Sequence, residues 1–555
     1  MGRLKTGFLI FVGVFAVYAY TAYPTVAPRD SADLAAAALT ISAAHPPGYP
    51  LYALLGKAWL TLLPWGDPAY RLNLMSAAAG AGCVAAVFIL LARSCGFWPG
   101  LAAALALAFS APLWKFSLLC EMYSLHALFL AVLLLLAPGP GQEGRSLTCR
   151  AAPSGKGEHS PCGDGALLRA ALSALLSGLA LVNHQAFILA APGLAVLWRR
   201  ELALPGGRRH LLRVCLPLFL LGLGLYVFLW VRTGDLGRAW AILARKEYGT
   251  WQLSAGFSRP LTGELALRLM GYFCAELWRG TSPVTVALAL LGVWELGRRQ
   301  PRFGLGLGLI FLGFGPAFFL MTRFDLSGWV ARTVLESALV APMLPLCAAA
   351  GFGLAWLRGR WPRAAPILTV AVAAGSLWSN AAQTFHRDDF CAYDYVKDLR
   401  RALPPGSAAV AAGDTALYAT RYLDLTRPDG RGRRLINFQD RLAGERPGFV
   451  LGLSLKNFAR LGLASAGGLS PAGLVQSLGP GGLGSYFWDL SVLRQGHAVR
   501  LQESYDRDVL LAYAFAHYLS GTLLDSRQDI RATRHYLEAA ALDPEDYHID
   551  YKTAR

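Results

Sequence analysis

Charged side chains are scarce in this chain. Asp, Glu, Lys and Arg make up 16% of 555 residues, where a soluble domain carries about a quarter. That shortage excludes a wholly soluble globular protein. A hydrophobic share of 55% and a mean hydropathy of +0.40 point to a polytopic α-helical membrane protein with room for one soluble domain. Acids are the rarer sign, 35 against 52 Lys and Arg, for a net charge of +17. In a soluble protein that excess would raise nucleic acid as a partner. Here the bases fall mostly in short loops between apolar runs, where positive charge sets topology, so no nucleic-acid partner is expected. The nine cysteines are scattered and form neither a disulfide framework nor a zinc signature. A P-loop, a GxGxxG beside a strand, an HExxH and a GxSxG in strand-turn-helix context are all lacking.

What the chain does have is apolar runs near the ~20 residues a span requires. About eleven can be drawn: 7–26, 72–92, 97–116, 121–137, 166–183, 185–198, 211–231, 282–297, 303–321, 334–357 and 363–380. Arg3 and Lys5 before the first run give it the look of a signal peptide. Because many spans follow, it reads as an uncleaved first span. With the N-terminus inside, the basic loops (Arg93; Arg199, Arg200, Arg208 and Arg209; Arg298 and Arg299; Arg358 and Arg360) all face inward. The C-terminus is then outside, together with the first loop. Residues 46–64 carry Lys57 and flanking prolines and read as interfacial or re-entrant. Residues 31–44 read as a short helix, with Ser31 as its N-cap and Asp33 in its first turn. The Gly- and Pro-rich stretch 138–165 reads as a flexible inside loop.

Two domains are expected: a transmembrane domain over 1–380, with the first outer loop and its interfacial helices at 27–70, and an exterior domain over 381–555. The latter opens as α/β, with a helix through YDYVKDLRRAL, a strand in SAAVAAGD and a helix TALYATRYLDL. It ends in helices over 504–547 that resemble a single tetratricopeptide-like unit, too few for a solenoid. Small residues such as those of GFGLAW fall inside spans, where they favour close helix packing.

The candidate chemistry gathers on the outer side. Asp30 follows the first span directly, with Arg29 beside it to steer an anion, and Asp33 lies about one helical turn further on. His45 precedes Pro46-Pro47-Gly48-Tyr49-Pro50. Sugar transfer from a lipid phosphate would use such parts: a carboxylate to take the acceptor's proton, cations to hold the phosphate as its charge grows, and a position at the bilayer surface. Each residue also has an ordinary reading. Asp30 can be a solvated loop acid, Asp33 a helix-start stabiliser, and His45 a loop-packing residue. Glu121 and Tyr123 stand at the outer start of the fourth span, where an acid needs a cavity or a partner. Asn183 and His184 form an outer turn. Arg71, Arg245, Arg323 and Arg332 suit either a phosphate or lipid headgroups. Tyr248 suits a sugar face or the aromatic belt.

These residues resemble the GT-C superfamily of integral-membrane glycosyltransferases. The closer likeness is to a bacterial set grouped as domain of unknown function 2723, related to protein O-mannosyltransferases. The residues that carry it are Asp30-Ser31-Ala32-Asp33, His45-Pro46-Pro47-Gly48-Tyr49-Pro50, Tyr70-Arg71-Leu72-Asn73, Glu121-Met122-Tyr123, Asn183-His184, Glu247-Tyr248-Gly249, Leu403-Pro404-Pro405-Gly406 and Gly413-Asp414. The family more often has Glu where Asp33 stands and Gly where Ala32 stands. The resemblance implies an inverting transfer from a polyprenyl-phosphate sugar, with mannose the first guess, to a protein Ser/Thr or glycan hydroxyl. Asp30 would be the base, supported by Asp33 and His45. Arg29, Tyr49, Arg71, Glu121, Tyr123, Asn183, His184, Arg245, Tyr248, Arg323 and Arg332 would bind substrate. No metal ligands are identified; a divalent metal is compatible with the resemblance but has no signature here. The expected location is the inner (plasma) membrane, among membrane lipids. A transporter or flippase for a lipid-linked glycan would predict internal repeats and polar residues at mid-membrane depth. A non-catalytic scaffold would act through the C-terminal helices.

Overall fold

The computed structural model of the chain describes residues 2–139, 161–203, 207–246, 249, 258–327, 329–411, 413–437, 448–451, 470–477 and 507–543. Two compact units result. The first is Met1–Ala22, Ala37–Pro64 and Arg71–Arg387; the second is Tyr23–Ala36, Trp65–Tyr70 and Asp388–Arg555. The segment expected as the first outer loop is therefore split, with its acid-bearing start grouped with the C-terminal part of the chain.

The first unit is helical. Among the described residues six helices are long and apolar enough to cross a membrane: Gly2–Thr21, Pro68–Ser94, Gly165–Asn183, Gly207–Thr233, Pro301–Thr322 and Val340–Arg360. A further pair, Gly263–Arg279 and Pro283–Arg299, meets at a 113° bend, and Phe97–Ala108, Tyr123–Leu136 and Ala364–Asn380 are shorter apolar helices. Side chains such as Leu220, Leu221, Val231, Ile367 and Val370 are exposed on these helices, as a lipid-facing surface requires.

Several expected spans are thus shorter or broken, for local reasons. We label Gly2–Thr21 α1, Asp30–Thr40 α2, Pro50–Leu62 α3, Pro68–Ser94 α4, Phe97–Ala108 α5, Ala111–Phe116 α6 and Tyr123–Leu136 α7. The run expected as one span over 97–116 breaks between α5 and α6, where Ser110 is extended and Pro112 opens the new helix. The run at 185–198 begins as a 3-10 turn, Gln185–Ala190, before Ala191–Leu202. Thirteen-residue α3 is about 20 Å long at 1.5 Å per residue, short of the ~30 Å hydrocarbon core. Its Lys57 Nζ donates to the Leu39 carbonyl at 3.0 Å. Small residues do permit close packing: a Cβ on Gly353 would lie 2.0 Å from the Leu288 carbonyl oxygen, and one on Gly292 would lie 1.7 Å from that of Ala349.

In the second unit an amphipathic helix, Cys391–Ala402, buries Tyr395 and Leu399 with Leu403. It leads to strand β1, Ala408–Ala411, and then to helix Asp414–Thr426. β1 pairs in parallel with β2 (Arg434–Asn437) and β3 (Phe449–Leu451). The short hairpin β4 (Ser470–Ala472) and β5 (Val475–Ser477) extends the sheet antiparallel, giving the order β2-β1-β3-β5-β4. The helix, strand and helix expected within 381–437 fall at Cys391–Ala402, Ala408–Ala411 and Asp414–Thr426. Tyr513 and Val509, from helix Arg507–Ser526, complete the core.

Helices Arg507–Ser526 and Arg531–Leu542 form one hairpin. Inside it His517 Nδ1 lies 3.0 Å from His535 Nδ1, so one ring must donate and the other accept. Burial, then the neighbouring His535 and Arg534, push His517 down to about 4. Burial, with Arg534 as the next cause, lowers His535 as well. A histidine depressed in the folded state is stabilising above the unfolded value and loses that stability as pH falls toward the folded one. From about pH 7 to pH 5 the His517 contribution should therefore fall by about 2 kcal/mol. Urea unfolding followed at Trp and Tyr should show a larger loss in the wild type than in His517→Phe, where only the His535 part remains.

Candidate active site

The acids belong to the second unit. Arg29, in a left-handed conformation (φ 60°), turns the chain, and α2 starts at Asp30. Ser31 is therefore inside the first turn and not the N-cap, a correction to the expected helix start. Its buried Oγ has no hydrogen-bond partner. Asp30 is half-buried, while Asp33 is 2% exposed. Both acids sit in the first turn of α2, favourable to its dipole.

Three side chains of one helix, Asp414–Thr426, hold this segment. The Arg29 N–H donates to Thr415 Oγ1 at 2.9 Å. Arg421 Nη1 lies 3.4 Å from Asp33 Oδ1. Tyr422 OH donates to Asp67 Oδ1 at 2.8 Å and accepts from the Ala69 N–H at 3.0 Å. Asp67 in turn caps the start of α4, accepting from the Ala69 and Tyr70 N–H groups at 3.0 and 3.3 Å. Helix Asp414–Thr426 is itself anchored, its Thr415 N–H donating to Asp508 Oδ2 at 3.3 Å.

A second group lies in the first unit. His45 precedes a cis Pro46-Pro47 bond, and its carbonyl accepts from the Gly48 N–H at 2.8 Å. Gly48 has φ +92°, where a side chain is strained, and a Cβ there would meet the end of the Leu229 side chain at 2.6 Å, so glycine suits this turn. Tyr49, also left-handed at φ 45°, then opens α3. The rings run on from there: His45–Tyr49 at 5.0 Å, Tyr49–His184 at 6.3 Å, and Tyr123–His184 and His126–His184 at 5.5 Å each. Asn183 Nδ2 donates to the Met122 carbonyl at 3.1 Å. The buried Glu121 offers its carbonyl to Ser76 Oγ at 3.3 Å, and Ser76 Oγ lies 3.3 Å from Tyr52 OH. His184 Nδ1 accepts from the Ala186 N–H at 3.2 Å, which puts the ring proton on Nε2. Burial, with His126, Arg245 and His45 nearby, holds this imidazole well below the ordinary histidine range. His184 is therefore a neutral Nε2–H donor among aromatic faces.

The remaining predicted residues are distributed. Arg71 lies in α4, and its Nη1 donates to the carbonyls of Leu63 and, at 3.1 Å, Leu60, closing the end of α3. Arg245 is left-handed at φ 52° and is near enough to act on His184. Arg323 and Arg332 organise a separate loop: the Arg323 carbonyl accepts from the Arg259 N–H at 2.8 Å, and Arg332 Nε donates to Leu326 at 2.9 Å. Tyr248 lies outside the described residues. Among the described residues no group of three or more His, Cys, Asp or Glu could hold a metal ion.

Sequence reasoning missed four notable side chains. His126 reads as one polar residue in an apolar run, yet it is buried against His184, Phe187 and Phe314. Lys115 is buried and lies 2.9 Å from Glu336 Oε1; only its position in an otherwise apolar stretch could have flagged it. Thr415 and Arg421 carry no local signal of their long-range partners.

Residues 30–202 match a family model described as the Protein O-mannosyl-transferase TMEM260 N-terminal domain. Protein O-mannosyl-transferase TMEM260 of Mus musculus is 28% identical over 471 residues, 77% of this chain and 62% of that protein. The Dictyostelium discoideum protein O-mannosyl-transferase is 24% identical over 474 residues, 76% of this chain and 56% of that protein. The chain thus spans less than two thirds of the length of these curated relatives. Among solved structures, ArnT from Cupriavidus metallidurans in the apo state superposes with a TM-score of 0.55 at 12% identity, covering 87% of this chain and 99% of that one. ArnT bound to undecaprenyl phosphate gives a TM-score of 0.51 at 13% identity, with the same coverage. The chain is a multi-pass membrane protein with the GT-C fold, related in sequence to protein O-mannosyl-transferases. The matched family model describes a TMEM260 domain rather than the bacterial set named above.

Proposed function

We propose that this chain is an inverting glycosyltransferase that moves a sugar, mannose first among candidates, from a polyprenyl-phosphate donor to a hydroxyl of a protein or glycan at the outer face of its membrane. The observation that carries the reading is the held acid pair. Asp30 opens α2 half-buried, and Asp33 is buried beside Arg421, at the start of the stretch that matches the protein O-mannosyl-transferase model. Two named relatives are O-mannosyl-transferases, and a fold neighbour was crystallised with undecaprenyl phosphate.

In this reading Asp30 takes the proton from the acceptor hydroxyl as that oxygen attacks the anomeric carbon. The bond to the phosphate oxygen breaks, and the lipid phosphate leaves with the electron pair. Asp33 keeps the first turn of α2 in register. His184, neutral and donating through Nε2, suits a sugar or phosphate oxygen, and Tyr49 and Tyr123 offer faces to a sugar ring.

The test is donor choice. Purified protein in nanodiscs should label a Ser/Thr-rich peptide from polyprenyl-phosphate mannose and not from nucleotide-linked mannose, with inversion at the anomeric carbon read by NMR. Labelling from the nucleotide sugar alone, or retention of configuration, counts against the reading.

A further inference from the structure

We infer that helix Asp414–Thr426 is a clasp that positions the catalytic segment, with Arg421 and Tyr422 as positioning residues for the transfer reaction. The inference rests on the proposed role of Asp30 and extends it to the C-terminal part of the chain.

The geometry is specific. Both ends of the first outer loop that belong to the second unit, Tyr23–Ala36 and Trp65–Tyr70, are tied to this one helix. Thr415 takes the Arg29 N–H immediately before Asp30, Arg421 takes Asp33 one turn after it, and Tyr422 takes Asp67 and the Ala69 N–H at the other end. Positions 415 and 422 are seven apart, two helical turns, and so share one face. Tyr422 is buried at 1% exposure, and Thr415 is fully buried. A buried hydroxyl that both donates and accepts fixes its partners more tightly than apolar contact does.

The anchor lies deeper in the same unit. The Thr415 N–H meets Asp508 at the start of helix Arg507–Ser526, so the C-terminal hairpin backs the clasp through Asp508, Thr415 and Arg29. A base must stay within a fraction of an ångström of its productive place. A misplacement of about 1 Å from a remote change costs on the order of 10²-fold in rate.

The experiment joins hydrogen exchange to kinetics in the full-length protein in nanodiscs, using polyprenyl-phosphate mannose and a Ser/Thr-rich peptide. Tyr422→Phe and Arg421→Ala should raise amide exchange at 29–36 and 65–70 while helix Arg507–Ser526 exchanges as in the wild type. They should also lower kcat by roughly ten- to a hundredfold, with KM for the lipid donor unchanged, and Arg421→Lys should restore part of both. Wild-type exchange at 29–36 in Tyr422→Phe and Arg421→Ala overturns the clasp, and so does a fall in kcat without that exchange change. Failure of the parent reading looks different. Asp30→Asn would then be fully active while the helix variants still loosened 29–36.

Discussion

Asp30→Asn is expected to lower kcat for sugar transfer by about 10²- to 10⁴-fold, the range over which a positioned general base acts. The change keeps the size of the side chain and its place at the opening of α2, and removes the carboxylate charge and with it the ability to take a proton. Donor binding should survive, because the proposed reading gives the phosphate to cationic groups and not to this carboxylate. Asp30→Glu should keep more activity than Asn, since the carboxylate remains but reaches further. Asp33→Asn should be milder in chemistry and harsher in folding. That side chain is buried and lies beside Arg421, so its loss acts through the shape of the segment. The split is read from kcat, donor affinity and thermal stability measured on the same preparations.

Lys115→Met is expected to destabilise the first unit by about 3 kcal/mol, because breaking a buried ion pair strands the other charge. Lys115 and Glu336 have side chains 7% and 25% exposed and lie 2.9 Å apart. The second oxygen of Glu336 is buried and has no hydrogen-bond partner, so little remains to stabilise the carboxylate once the ammonium is gone. The double change Lys115→Met with Glu336→Leu should recover most of the loss, since an apolar pair of similar volume often replaces a buried ion pair at no cost. Melting temperatures of the two single variants and the double variant in one detergent give the coupling directly. A double variant no more stable than the worse single variant would mean that the pair is not the source.

Much of the fold was legible because membrane spans announce themselves by length and composition. The helix, strand and helix expected within 381–437 also appear, at Cys391–Ala402, Ala408–Ala411 and Asp414–Thr426. The breaks were harder to see. Ser110 and Pro112 split an apolar run that composition alone reads as continuous. The start of α2 moved by one residue because Arg29 adopts a left-handed turn, which no pattern rule assigns to arginine. Within the site, His45, Tyr49, Tyr123, Asn183 and His184 were all legible as polar residues at the mouths of apolar runs. Their ring-to-ring order was not, because it depends on a cis Pro46-Pro47 turn and on packing between helices far apart in sequence. His126 was hidden by the run around it. The grip of Thr415 on Arg29 joins residues 386 apart in sequence. A contact of that kind has no local signature, since neither residue's sequence neighbours point to the other.

The most direct test of the account is to count sugar on the acceptor. Wild type and Asp30→Asn, purified and reconstituted in nanodiscs, are given radiolabelled polyprenyl-phosphate mannose and a Ser/Thr-rich peptide, with donor affinity measured in parallel. The account predicts labelled peptide from the wild type, near-background label from Asp30→Asn, and equal donor affinity for both. Equal labelling by the two proteins, or no labelled peptide from a wild type that binds the donor and, reconstituted in sealed liposomes, carries it across the bilayer, would contradict it.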